Sequence, residues 1–324
     1  MTSRNNLFKF WLLLFTTILS ACSLATERIE IEHGLSEAIA DSPTKPSITP
    51  TITVPTPEQI TPSIIAQTPQ VELATITPVP TQTLTPLIAE QWKQWPVIPA
   101  FISDEMRQIY QVGLANGNNH HAFSILGDCH SLPENFLGIY DHDLSAAVHI
   151  DPALRETVIH FKGSFDRYSP TVANGATEGA LLWERWNENK EGYCEPYELP
   201  IDCELRYHQP IIAFVHIGTH WENRNEFYLR TIIEKLLDNG TVPIIVTKAD
   251  NRELDERVNR NLTSLSLEYQ LPVWNFWASV QHLPNHGIDE NDPMNLTDEA
   301  YQIHREDGLR VLDYIYRELS GSKD

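Results

Sequence analysis

From about residue 120 onward the apolar positions alternate between short continuous runs and longer periodic stretches. Phe123–Leu126, Ile211–Ile217, Val242–Val246 and Pro272–Phe276 are runs of buried-strand length, bounded by glycine or polar residues. Between and after them, Asn225–Leu237, Glu253–Glu268 and Glu299–Leu319 repeat apolar residues three and four apart and predict helices, with Asn239-Gly240 as a stop signal. Strand runs without polar alternation are buried on both faces. The pattern therefore predicts an α/β fold, a parallel sheet covered by helices on both sides. Ligands in such sheets bind beyond the carboxyl ends of the strands. Two of the four runs end there in glycine-plus-polar loops, at Gly127-Asp128 and Gly218-Thr219.

Upstream the pattern is different. Arg4 and Lys9 precede an apolar run from Phe10 to Leu19, too short to span a bilayer comfortably and laid out as a signal peptide. It closes on Leu19-Ser20-Ala21-Cys22, which resembles a bacterial lipobox and implies a lipid on Cys22. An ordinary secretory peptide cut after Ala21 is the alternative. Proline recurs among threonines from Pro43 to Pro86, a mixture that fixes φ, removes donors and cannot build a core. The expected organisation is a signal peptide over residues 1–21, an extended stalk over 22–88 and one globular domain over 89–324. The expected location is the outer face of a cell membrane, with the membrane itself as a partner through Cys22.

The chain carries 44 acidic and 23 basic residues, a net charge of −21. That excludes nucleic acid as a partner and a polybasic grip on anionic lipid, both of which need clustered Lys and Arg. Of the four cysteines, Cys194 and Cys203 bracket a proline-containing loop and are expected to form a disulfide in an exported protein. With Cys22 lipidated, Cys129 is then the one spare thiol. No metal site is expected. His120 and His121 are adjacent and would point apart on a regular strand, and Pro284 breaks the His282–His286 helical spacing. No cofactor is expected either.

Four blocks near the strand ends resemble the SGNH (GDSL-type) hydrolase family, esterases and deacylases with a three-layer, flavodoxin-like fold. They are Gly127-Asp128-Cys129-His130-Ser131, Asn174-Gly175, Gly218-Thr219-His220 and Asp292-Pro293-Met294-Asn295-Leu296-Thr297. The resemblance spans about residues 120–320. Asp128, Gly175, Gly218 and Asp292 stand as the family has them. Cys129 replaces the serine nucleophile, His220 the oxyanion asparagine and Asn295 the catalytic histidine. The resemblance implies hydrolysis of a small ester or an acylated glycan. Cys129 would attack, and the N–H groups of Cys129 and Gly175 would hold the oxyanion. His220 or His286 would serve as base and Asp292 as the orienting carboxylate. A helix opening at Cys129 would favour its thiolate. Asn295 cannot take a proton at neutral pH, so the rival expectation is a ligand- or glycan-binding pseudoenzyme that keeps the pocket. Cys129 would then be an inert buried thiol. Ser131 is a substitute nucleophile displaced two residues along the chain. Arg167 is expected either to receive a substrate carboxylate or phosphate, or to form a structural ion pair. Tryptophans such as Trp183 and Trp186 offer sugar-stacking faces, with ordinary packing as the alternative.

Overall fold

The structure, a computed structural model, describes residues 87–218 and 225–321. The expected signal peptide, Cys22, nearly all of the expected stalk and His220 lie outside the described residues. Four strands, β1 (Asn119–Gly127), β2 (Pro210–His216), β3 (Val242–Val246) and β4 (Val273–Trp274), form one parallel sheet in the order β1-β2-β3-β4. Every residue of β2 and β3 is buried. Successive strand side chains point to opposite faces, so both faces of the sheet are covered. Outside β1, Val172 makes an isolated parallel bridge to Gly127 and holds a short segment against the free edge of the sheet.

The helices around the strands include α1 (Asp104–Asn116), α2 (Leu154–His160), α3 (Pro200–His208), α4 (Glu226–Asp238), α5 (Arg257–Glu268) and α6 (Asp298–Ser320). α1 packs on β2, β3 and α6; α3 packs on β1; α4 and α5 pack on β3. Local chemistry sets their ends. Ser103 and Thr297 accept the Met106 and Ala300 N–H groups as N-caps of α1 and α6. Acidic residues fill both first turns, where the helix dipole favours them. Gly117 and Gly321 close the same two helices in the left-handed conformation. Among the described residues no helix is long and apolar enough to cross a membrane.

Three expectations are adjusted. The helix expected from Glu253 begins at Arg257, because Asp250 and Glu253 both bind the buried Lys248 ammonium, Asp250 at 3.0 Å. The fourth strand is only Val273–Trp274: Asn275 leaves the ladder, donating to the carbonyls of Trp92 (2.9 Å) and Trp95 (3.0 Å). Those bonds tie the start of the domain to its core, where both tryptophans are buried. His120 and His121 do not point apart. Between the Asn119–Pro210 and Phe123–Ile212 pairs β1 advances four residues against two of β2, and this bulge brings the two rings together. The disulfide expectation agrees with the structure, where Cys194 and Cys203 are bonded and Cys129 is free.

Candidate functional site

The block at the carboxyl end of β1 is the hub. Asp128 is fully buried, and its carboxylate accepts the His130 and Gly218 N–H groups, each at 3.2 Å. The segment before Asn174-Gly175 pairs with Gly127: the Gly127 N–H donates to Thr171 O (3.0 Å) and the Ala173 N–H to Gly127 O (3.3 Å). Gly175, at φ +80°, completes the turn that follows, a backbone position a side chain would strain. From the last block, the Met294 carbonyl lies 2.9 Å from His130 Nε2. Gly218, Met294 and the segment that leads into Asn174-Gly175 are thus hydrogen-bonded to the first block, across separations of up to 164 residues.

The chemistry of the assembled site departs from the expectations at several residues. Cys129 does not open an α-helix; Cys129–Ser131 is a single 3₁₀ turn. The residue is 8% exposed. Burial first, then the Asp128 charge, pushes the thiol from the ordinary 9.0 up to about 12, with Asp292 adding to the effect. The expected thiolate is therefore absent at neutral pH; two carboxylates and a dry setting hold the proton on sulfur. Asp292 orients Asn295 rather than a histidine: Asn295 Nδ2 donates to Asp292 Oδ2 at 2.8 Å. The Asn295 carbonyl accepts from Tyr301 OH at 3.1 Å. His286 stands on an exposed turn with Nδ1 3.3 Å from Gln281 O.

Ser131 points into the core against a histidine. It is fully buried, with Oγ 2.9 Å from His216 Nδ1 and 3.3 Å from His216 O. A Cβ on Gly127 would lie 2.0 Å from that oxygen, so glycine at the strand end is what admits Ser131. His216 is itself buried at the end of β2. Desolvation, reinforced by His130 and opposed by Asp128, lowers it to about 4 and keeps the imidazole neutral. Arg167 takes the structural role. It pairs with the fully buried Glu204 and donates to Ser124 Oγ (2.8 Å) and Phe123 O (3.2 Å). Burial pushes the Glu204 carboxyl up, but Arg167 and His208 outweigh it and hold the group below its ordinary range.

Two residues of the site lie outside the four blocks. Tyr301 lies on the first turns of α6, six residues after Asn295; burial and the neighbouring Cys129 raise its phenol to about 12. Its only sequence signal is its position just past the Thr297 cap. Glu178 follows the Gly175 turn and is 5% exposed. Desolvation, with Asp128 adding and Lys248 opposing, raises it from 4.5 to about 7. A cleft of about 580 Å³ runs beside the hub, between Leu132–Glu134 and Val172–Asn174. Its walls carry Trp186, Tyr168, Arg185, Lys190 and Glu188. Lys190 pairs with Glu188 at 2.7 Å and lies over the Tyr168 ring. The arrangement offers aromatic faces and polar donors next to a strand-end site where the Cys129 thiol donates to Asp128 Oδ1 at 4.0 Å. The chain matches no protein-family model and no curated protein.

Proposed function

We propose that this chain is an exported, surface-tethered protein whose domain has the three-layer, flavodoxin-like scaffold of the SGNH hydrolases and binds a saccharide without cleaving it. The scaffold reading rests on the four blocks and on sheet order. Counting the Val172 segment as the second strand position, the order becomes 2-1-3-4-5, that of flavodoxin-like sheets. Tethering rests on the lipobox-like Leu19–Cys22 and the Thr/Pro stalk, which would hold the domain off the membrane.

One observation carries the non-catalytic reading: the Asn295 amide donates 2.8 Å to Asp292, at the position where the family has its histidine. An amide exchanges no proton near neutral pH, so Asn295 gives Asp292 no acid–base group to orient. The protonated Cys129 agrees with this. The saccharide reading rests on the adjoining cleft, where Trp186 and Tyr168 supply faces for C–H stacking and Asn174 and Arg185 supply hydrogen-bond donors.

The test is equilibrium binding of a panel of soluble oligosaccharides, acetylated and unacetylated, to the full chain. Binding should weaken at least tenfold in Trp186→Ala and Arg185→Ala and survive in Cys129→Ala. No binding across the panel, or binding indifferent to Trp186, would reject the saccharide assignment. The alternative, a thiol-dependent ester hydrolase, needs a base that withdraws the Cys129 proton. It predicts ester cleavage that Cys129→Ala abolishes.

A further inference from the structure

At the opposite end of β1 from Cys129, three imidazoles meet. The β1 bulge turns His120 and His121 to one side, with ring centroids 3.8 Å apart. His160, the last residue of α2, places its ring 4.3 Å from that of His121 and 5.5 Å from that of His120. One ring nitrogen from each lies within 4.8 Å of the others. Two nitrogens bound at about 2.1 Å to a tetrahedral ion are roughly 3.4 Å apart, so a rotation of the two exposed rings, His120 and His121, closes the set around an ion.

The rings are also held in register. His121 Nδ1 lies 3.0 Å from His160 O, and His160 Nε2 lies 2.7 Å from His120 O. A carbonyl only accepts, so both contacts are N–H donations. They leave His121 Nε2 and His160 Nδ1 as the nitrogens that carry lone pairs, the orientation that outer-shell carbonyls impose on metal-bound histidines. His160 Nδ1 now lies 3.2 Å from the Tyr316 hydroxyl, which an incoming ion would displace.

We propose that His120, His121 and His160 form a binding site for a borderline divalent transition-metal ion such as zinc(II), with three nitrogen ligands and water in the open position. All three side chains are neutral nitrogen donors, which selects such ions over calcium or magnesium. The ion would clamp the amino end of β1 to the carboxyl end of α2. The nine residues of β1 separate it from the Cys129 site by roughly 20–25 Å, so its role is in the stability of that edge and not in the pocket.

The experiment is calorimetric titration of the metal-free full chain with zinc chloride, paired with thermal unfolding. Wild type should bind one ion through this site and gain roughly 5–10 °C in Tm at a hundredfold excess over Kd. His120→Ala and His121→Ala, both exposed and free to fold, should each weaken binding at least tenfold and abolish the Tm gain, whereas Cys129→Ala should change neither. Wild type that takes up no zinc, or a His120→Ala/His121→Ala double variant that binds as wild type does, would overturn the proposal.

Discussion

Alkylation of Cys129 is where the electrostatics of the site become measurable. At pH 8 a thiol that titrates at about 12 is ionised to roughly one part in ten thousand, against about one part in ten for an ordinary cysteine at 9.0. Ionisation alone slows attack about a thousandfold. The rarer thiolate is more nucleophilic, and a Brønsted slope of 0.4–0.5 recovers about twentyfold of this, leaving a net slowing of about fiftyfold. With the residue 8% exposed, restricted access adds to that figure. The assay is iodoacetamide labelling of the full chain at pH 8, read by mass mapping of the Cys129 peptide. The same peptide in the urea-unfolded chain is the reference. Folded Cys129 should react at least fiftyfold more slowly. In Asn295→His, an imidazole held by Asp292 should bring the sulfur a positive neighbour and raise the folded rate about tenfold. A wild-type rate within threefold of the unfolded reference would refute the reasoning, because the thiol would then be ionised and accessible.

Two further predictions concern buried charge. Arg167→Ala leaves the fully buried Glu204 without its principal partner and should destabilise the domain by about 3–5 kcal/mol, a fall in Tm of roughly 6–20 °C; Glu204→Gln in the same chain should restore part of it. A loss under about 1 kcal/mol by urea unfolding would return Arg167 to the list of ligand-binding residues. Glu178 keeps its proton in the folded state up to about pH 7, whereas the unfolded chain releases it near 4.5. Folding therefore binds a proton across that window, and stability falls as pH rises from 4.5 to 7. Relative to Glu178→Gln, wild type should lose about 2–3 kcal/mol between pH 5 and pH 8 in urea unfolding, and a flat difference would contradict the buried-acid reading.

How much of this was legible in the sequence differs from element to element. The runs Ile211–Ile217 and Val242–Val246 announce β2 and β3 because strands buried on both faces carry no polar alternation. The first strand was harder. Its first three residues are exposed and the strand is bulged, so neither its length nor the shared side of His120 and His121 follows from period-2 alternation. α1 and α3 were not anticipated, though Ser103 and Pro200 mark their starts and Gly117 the end of α1. The site divides in the same way. Its location after Gly127 follows from the strand ending, and the departures at Cys129 and Asn295 are visible in the blocks themselves. The state of the Cys129 thiol is not, since it depends on burial and on Asp292, which lies far along the chain. The role of Arg167 likewise depends on Glu204, a helical acid that carries no local sign of being buried.

The proposed function turns on Asn295 standing where the resemblance to SGNH hydrolases expects a proton-transferring histidine. The most direct measurement is hydrolysis of a small activated acetate ester by the full chain, wild type beside Cys129→Ala, with free cysteine at equal concentration as the thiol background. The account predicts equal rates for the two proteins, neither above that background. A rate well above it that disappears in Cys129→Ala would contradict the account and establish thiol-dependent acyl transfer despite Asn295.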